Sequence, residues 1–380
     1  MLKSSRKFKI AVAMGTRPEV IKLAPVVAAL RLSGCVQVKV IATGQHRSMM
    51  DEALAVFCLK PDYDLNIMRK GQSLFDVTSR ILSNISGIMD KEKFDLMVVQ
   101  GDTATTFACA LAAYYARIPV AHVEAGLRTC DKYRPFPEEV NRRLTGVLAD
   151  IHFPPTEKAR RDLIKEGVSS SRILMPGNTV VDALHMASRR MPCFRKPALK
   201  KIVARGRRIV LVTLHRRESF GDGLENVLLA LRDISMLPGV DVVYPVHLNP
   251  QVRRQVSDVL KGGKVHLLEP LPYDEFIGLM QKAFLIITDS GGIQEESCAL
   301  KKPVIIAREK TERPEAVKAG FAQLLGFDRH KIVASAKKLL EDQAYYARRC
   351  NNKNPYGDGK AAGRIALACV AYLRQNRRKV

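Results

Sequence analysis

Two short segments, one near each end of the chain, set glycine among small polar residues directly after an apolar run. Gly15-Thr16-Arg17-Pro18-Glu19 follows Ile10–Met14, and Thr288-Asp289-Ser290-Gly291-Gly292 follows Phe284–Ile287. Each reads as strand, tight turn and helix N-terminus, a junction that points unpaired backbone N–H groups and the positive end of the helix dipole at an anion. One such loop is weak testimony, because any βα unit can use glycine for close packing. Two of them in separate halves point to a cleft that closes on one phosphorylated ligand.

Carboxylates at strand ends supply a second chemistry. Asp102 sits in Gln100-Gly101-Asp102-Thr103, Glu124 in His122-Val123-Glu124-Ala125-Gly126, and the pair Glu138-Glu139 follows Pro135-Phe136-Pro137. Three carboxylates converging in a cleft can divide general acid and base work, with burial and mutual repulsion raising at least one pKa. Plainer roles exist for each: Asp102 as a helix cap, Glu138 and Glu139 as first-turn residues favoured by the dipole. In the second half His215-Arg216-Arg217-Glu218 puts an imidazole and two guanidinium forks at a strand end. Such forks clamp phosphate, and the imidazole can protonate a departing oxygen. Arg313, in Thr311-Glu312-Arg313-Pro314-Glu315, repeats the Arg-Pro-Glu order of the first loop. A surface lattice of salt bridges is the competing reading for these charged runs.

The elements that must position these groups alternate between short apolar runs and helix-period stretches. Strands are expected at 9–14, 38–43, 96–100, 120–124 and 151–153, then at 209–214, 242–246, 265–268, 285–288 and 304–307. Continuous rather than alternating apolar runs mark strands covered on both faces, hence parallel sheets. The alternation of β and α predicts a doubly wound α/β fold, whose ligands lie beyond the carboxyl ends of the strands. Arg17, Asp102, Glu124, His215, His247 and Ser290 all fall at or just after such ends. The Pro- and cation-rich stretch 191–208 interrupts the pattern and places a domain junction just before it. An N-terminal domain is expected over 1–180 and a C-terminal one over 181–360, with a last helix near 361–380 packing back on the first.

At 380 residues the chain has room for about two domains with real cores. Apolar residues make up 47% and charged residues 26%, the balance of a soluble globular protein. No apolar run is long enough for a membrane span, and the basic start lacks the apolar core of a signal peptide, so a cytoplasmic enzyme is expected. The formal net charge of +24 favours anionic ligands, but its cations are scattered without a nucleic-acid-binding motif, so no nucleic-acid partner is expected. The eight cysteines show no C-x-x-C spacing. Neither G-x-G-x-x-G nor G-x-x-x-x-G-K-[ST] nor H-E-x-x-H occurs, which removes the usual support for dinucleotide redox chemistry, P-loop hydrolysis and a zinc site.

Taken together, the segments resemble the non-hydrolysing UDP-N-acetylglucosamine 2-epimerases. The likeness runs through GTRPEVIKLAPV (15–26), TGQHRSMMDEAL (43–54), QGDTATT (100–106), HVEAGLRT (122–129), PFPEEVNRRLTG (135–146), GNTVVDAL (177–184), HRRESFG (215–221), YPVHLNP (244–250), TDSGGIQEE (288–296), TERPEAVKAG (311–320) and NPYGDGKA (354–361). The resemblance implies two Rossmann-like domains of the glycosyltransferase-B type facing a central cleft, the second of them binding UDP. It implies interconversion of UDP-GlcNAc and UDP-ManNAc through elimination of UDP to 2-acetamidoglucal and re-addition, without cofactor or metal, in a homodimer that supplies surface polysaccharide synthesis. Carried over by motif, Asp102, Glu124 and Glu138 are the acid/base candidates, and His215 stands beside the diphosphate or leaving oxygen. Arg17, Lys22, Ser290, Gly291, Gly292, Glu296 and Arg313 match positions expected to hold UDP-GlcNAc, UDP-ManNAc or UDP. Gln45 and His247, with Glu138, match a second, allosteric UDP-GlcNAc site of some bacterial relatives, whereas Ser48 and Gly71 depart from it. Arg134 and Ala104 also depart from the family pattern close to the proposed catalytic groups. A hydrolysing relative, a glycosyltransferase of the same fold and a basic nucleic-acid-binding protein are the competing readings.

Overall fold

A computed structural model describes residues 7–188, 194–214, 222–311 and 313–377. It divides into two compact units, one formed by residues 1–186 with 357–380 and the other by 187–356.

The apolar runs of the first unit become six strands: β1 (Phe8–Met14), β2 (Val36–Ala42), β3 (Tyr63–Asp64), β4 (Leu96–Gln100), β5 (Val120–Val123) and β6 (Ile151–Phe153). They form one parallel sheet in the order β3-β2-β1-β4-β5-β6. Ile10 to Met14 and Leu96 to Val99 are all within 1% of full burial, as strands with helices on both faces must be. The first helix, Arg17–Leu32, turns Val20, Leu23, Ala24, Val27 and Leu30 inward and ends before Gly34, whose φ of +67° suits a left-handed stop. The chain returns to this unit through Asp182, whose carboxylate accepts from the N–H groups of Ala361 (3.2 Å) and Ala362 (2.9 Å). These are the opening residues of the last helix, Ala361–Arg377, which packs against Arg17–Leu32.

The second unit repeats the scheme with β7 (Arg208–Thr213), β8 (Val240–Pro245), β9 (His266–Leu268), β10 (Ala283–Thr288), β11 (Val304–Ile306) and β12 (Ala322–Leu324). Its sheet is parallel, in the order β12-β11-β10-β7-β8-β9. Counted within each unit, both sheets have the 3-2-1-4-5-6 order of the Rossmann fold, so each has one place where the winding reverses, β1/β4 in the first and β7/β10 in the second. Of the twelve strands among the described residues only the edge strands β3 and β12 were not expected; at two and three residues, with mixed burial, they carry no apolar run to read. No helix among the described residues is long and apolar enough to cross a membrane.

Candidate active site

In the first unit the reversal point brings the carboxyl ends of β1, β4 and β5 side by side. Directly after β1, Gly15 is pressed against two hydroxyls: a Cβ there would lie 2.1 Å from Thr43 Oγ1 and 2.2 Å from Thr105 Oγ1, which bond each other at 2.8 Å. Thr16 occupies the N-cap of helix Arg17–Leu32 without a side-chain cap, so that helix start keeps its polarity toward an anion. Arg17 is exposed on its first turn. Farther along the helix, Lys22 reaches across to Glu124, its Nζ 2.5 and 2.7 Å from the two carboxylate oxygens.

Glu124 leaves β5 with a φ of +61°, a left-handed backbone that costs a non-glycine residue roughly 1–3 kcal/mol and is held only where surroundings impose it. Its carboxylate is almost buried and also accepts from the Gln100 side-chain amide. Glu124 Oε2 lies 3.9 Å from where a Cβ would stand on Gly101, the residue before Asp102, so the two acidic positions adjoin. Asp102 is a quarter exposed, and its Oδ2 meets Arg142 Nη2 at 2.7 Å. It is not the helix cap: Thr103 is, its hydroxyl accepting from Thr106 N–H at 3.1 Å. The Asp102 carbonyl accepts from Asn141 Nδ2 at 3.0 Å, leaving the side chain aimed by Arg142.

The two glutamates at the start of helix Glu138–Leu148 separate in role. Glu139 is fully buried and accepts from the backbone N–H groups of Thr129 (3.0 Å) and Cys130 (3.2 Å), with Arg142 and Arg143 beside it. Burial opposes its ionisation, yet those hydrogen bonds and Arg142 prevail and hold its carboxyl below the usual range. Glu139 thus braces the 126–137 loop, while Glu138 stays half-exposed on the first turn.

His122 was not singled out from sequence. It is buried on β5, where burial pushes its pKa down to about 3 and keeps the ring neutral, and its Nε2 contacts the Gly101 carbonyl at 2.7 Å. A carbonyl only accepts, so Nε2 carries the proton, and the ring steadies the turn that presents Asp102. A single histidine inside an apolar strand offers no sequence signal that separates this from ordinary packing. Gln45 is likewise occupied within the unit: its Oε1 accepts from the N–H (3.2 Å) and hydroxyl (3.0 Å) of Thr105.

The second unit's reversal point is built from hydroxyls. Thr213 and Thr288, ending β7 and β10, share a hydrogen bond of 2.6 Å, and Thr288 Oγ1 accepts from Ser290 N–H at 3.0 Å. The buried Tyr244 donates to the Leu214 carbonyl at 3.0 Å. The next residue, His215, lies outside the described residues, as does the rest of 215–221. Ser290 is the N-cap of helix Gly291–Ala299 and makes no side-chain cap, so this helix start too faces outward unsatisfied by its own cap. A Cβ on Gly292 would meet nothing within 4 Å. Two turns on, Glu296 is buried and accepts from Tyr273 Oη at 3.2 Å. Arg313 is engaged with the buried Glu295 through Nε. His247 is exposed after β8, its Nδ1 accepting from Asn249 N–H at 3.1 Å. Among the described residues no group of three or more His, Cys, Asp or Glu side chains is placed to hold a metal.

Comparison with known proteins gives a consistent answer. Residues 28–369 match the family model described as UDP-N-acetylglucosamine 2-epimerase. The UDP-N-acetylglucosamine 2-epimerase of Escherichia coli K12 is 48% identical over 376 residues, covering 97% of this chain and 99% of the relative. A crystal structure of UDP-GlcNAc 2-epimerase from Neisseria meningitidis bound to UDP-GlcNAc superposes with a TM-score of 0.86 at 43% identity, covering 96% of this chain and all of that one. A crystal structure of the glycotransferase of kitacinnamycin, 12% identical, has a TM-score of 0.65 and covers 97% of this chain and 100% of its own, a likeness of glycosyltransferase-B fold alone.

Proposed function

This chain belongs to the UDP-N-acetylglucosamine 2-epimerase family and is an isomerase of that class, and on that premise we propose that it inverts C2 of UDP-GlcNAc by eliminating and re-adding UDP. The C2–H of the sugar is not acidic, since no carbonyl adjoins it. Departure of UDP with the C1–O electron pair builds positive charge at C1 and makes that proton removable. A carboxylate takes it, 2-acetamidoglucal forms, and re-addition of UDP with protonation from the opposite face of C2 gives UDP-ManNAc. The observation that carries this reading is the pairing of two carboxylates with two cations at adjoining strand ends, Glu124 with Lys22 and Asp102 with Arg142. Ion-paired carboxylates of differing exposure suit opposite halves of a proton shuttle.

In this proposal Asp102, Glu124 and Glu138 serve the proton transfers, and His215 with Arg17 and Lys22 stabilises the departing diphosphate. The second unit is the UDP-binding one: the start of helix Gly291–Ala299 meets phosphate oxygens, and Glu296 accepts from ribose hydroxyls. Arg313 acts through its hold on Glu295, one residue before Glu296. Gln45 and His247 as contacts of an activating UDP-GlcNAc belong to the same proposal, as do a cytoplasmic setting, supply of UDP-ManNAc to surface polysaccharide synthesis, and a homodimer. Support for the last comes from Tyr114, Tyr115, Leu144 and Val147, exposed on the neighbouring helices Ala104–Tyr115 and Glu138–Leu148.

Incubation with UDP-GlcNAc in D2O tests the central claim. UDP-ManNAc carrying deuterium at C2 is the expected product. Free ManNAc with UDP as main products selects hydrolysis instead, and unchanged substrate removes the enzymatic reading of these residues.

A further inference from the structure

Glu19 lies beneath the first unit's reversal point at 1% exposure, and no Lys, Arg or His among the described residues pairs with it. The order Thr16-Arg17-Pro18-Glu19 is that of a capping box, in which the N-cap hydroxyl accepts from the N3 amide while the N3 carboxylate reaches back to the N-cap. The structure departs from that arrangement. Thr16 makes no cap; its hydroxyl donates to Glu19 Oε2 at 2.8 Å, beside Gly15 N–H at 2.9 Å. The other oxygen is turned to a different strand end, where Thr103 Oγ1 donates at 2.7 Å and Thr106 Oγ1 approaches at 3.1 Å.

We propose that Glu19 is a positioning residue that clamps the turn carrying Asp102 to the anion-facing loop Gly15–Arg17. Thr103 is both the neighbour of Asp102 and the cap of helix Ala104–Tyr115, so a bond to its hydroxyl fixes the backbone from which Asp102 projects. His122 holds the preceding carbonyl of Gly101 and Asn141 that of Asp102 itself, and Glu19 closes the third side. Because helix Arg17–Leu32 also carries Lys22, the partner of Glu124, the clamp sets Asp102 and Glu124 in one frame. A buried carboxylate without a counter-cation is an expensive way to cap a helix. Burial raises its pKa, and the four surrounding donors offset that only in part. Bridging two strand ends is what a capping box would not do. The inference rests on the reading of Asp102 as a proton-transfer residue.

The test measures kcat, KM and C2 deuterium entry for UDP-GlcNAc, together with thermal unfolding, in Glu19→Gln, Thr103→Val and their double variant. An amide at 19 turns an NH2 toward one pair of donors, and valine at 103 removes the bridging hydroxyl. Each single change is expected to lower kcat about tenfold or more while KM stays within about threefold, the signature of a misplaced reacting group. The double variant should be no worse than the poorer single one, since either change breaks the same link. Thr103→Ser keeps the hydroxyl and should recover most of the lost turnover. Normal kcat in folded Glu19→Gln, or losses that multiply in the double variant, overturns the clamp. If Glu19→Gln does not fold, Thr103→Val decides alone, and normal turnover there overturns it as well. Asp102→Asn is run alongside: retained turnover in that variant defeats the reading of Asp102 and the clamp's purpose with it. An inactive Asp102→Asn beside a normal Glu19→Gln defeats the clamp only.

Discussion

The two reversal points share a fold order and an uncapped helix start, yet they are made of different chemistry. In the first unit the strand ends are crowded with ionised groups, Lys22 on Glu124 and Arg142 on Asp102, and Gly15 is small because the protein itself fills the space. In the second, threonine and tyrosine hydroxyls set the turn, and Gly292 is small although nothing in the described chain presses on it. A glycine demanded by its own neighbours is architectural; one facing open space admits close approach by something else. The contrast supports assigning proton chemistry to the first unit, where Arg17 and Lys22 also meet the departing diphosphate, and the main grip on the nucleotide to the second.

The largest effect expected from this division is on turnover. Glu124→Gln keeps the shape of the side chain but removes the charge that faces Lys22, and should lower kcat by about 10²–10⁴ while UDP affinity measured by calorimetry stays within about threefold. Glu296→Gln is its counterpart: UDP affinity should fall about tenfold with a smaller loss of kcat. Both variants failing in the same way, on kcat alone or on binding alone, would erase the division of labour.

Next in size is the pair of glycines. Gly15→Ala drives a methyl into Thr43 and Thr105, whose hydroxyls sit one bond from Cβ and cannot swing clear; destabilisation of about 1–3 kcal/mol is expected from overpacking. Gly292→Ala should unfold at the native temperature but bind UDP about tenfold more weakly. Thermal unfolding with and without UDP reads both, and an unfolding temperature lowered equally in the two variants would refute the distinction.

Acid stability separates the units again. His122 and His152 are register partners on β5 and β6, both buried, with pKa values pushed down by burial to about 3 and about 4. In the unfolded chain they titrate near the ordinary value of about 6.5. Between those values only the unfolded state is protonated, so stability is complete above about pH 6.5 and is lost as pH falls toward 4. The slope approaches about 1.4 kcal/mol per pH unit for each ring. The second sheet has no such pair; its strand histidine, His266, is partly exposed beside Asp241. Urea unfolding between pH 7 and 5 should show the loss, and His152→Leu should halve its slope; a slope unchanged by that substitution would mean other groups are responsible.

Much of this was legible before any coordinates. Ten of the strands announce themselves as apolar runs, and Asp102, Glu124 and Ser290 fall at strand ends because turns after parallel strands are where polar side chains can stand in a doubly wound fold. What sequence could not separate is which member of a like pair does what. Glu138 and Glu139 are chemically identical and adjacent, and only the positions of Thr129 and Cys130, folded back from another element, reveal that Glu139 is the brace. Glu19 was hidden for a related reason. Its local pattern has a complete local explanation as a cap, and its link to Thr103 spans 84 residues of chain. His122 and Thr43 are equally silent, since their partners, the Gly101 carbonyl and the Thr105 hydroxyl, come from a turn and a helix far along the chain.

The smallest effects probe the hydroxyls themselves. Thr43 stands just beyond the end of β2 and Thr288 at the end of β10, each bonded to a second threonine, at 2.8 Å to Thr105 and 2.6 Å to Thr213. Valine keeps the volume at either position but removes one side-chain hydrogen bond at 43 and two at 288, so losses of about 1 and about 2 kcal/mol of stability are expected. Their partners differ in one respect. Thr288 also accepts from Ser290 N–H and so orients the start of helix Gly291–Ala299, whereas Thr43 Oγ1 faces Gly15, whose N–H is already taken by Glu19. Thr288→Val should therefore weaken UDP binding about threefold to tenfold, and Thr43→Val should leave it unchanged within error. Unequal UDP affinities in the two folded variants would place the anion grip in the second unit's turn; equal affinities would show that the two turns are interchangeable supports and that the diphosphate is held elsewhere.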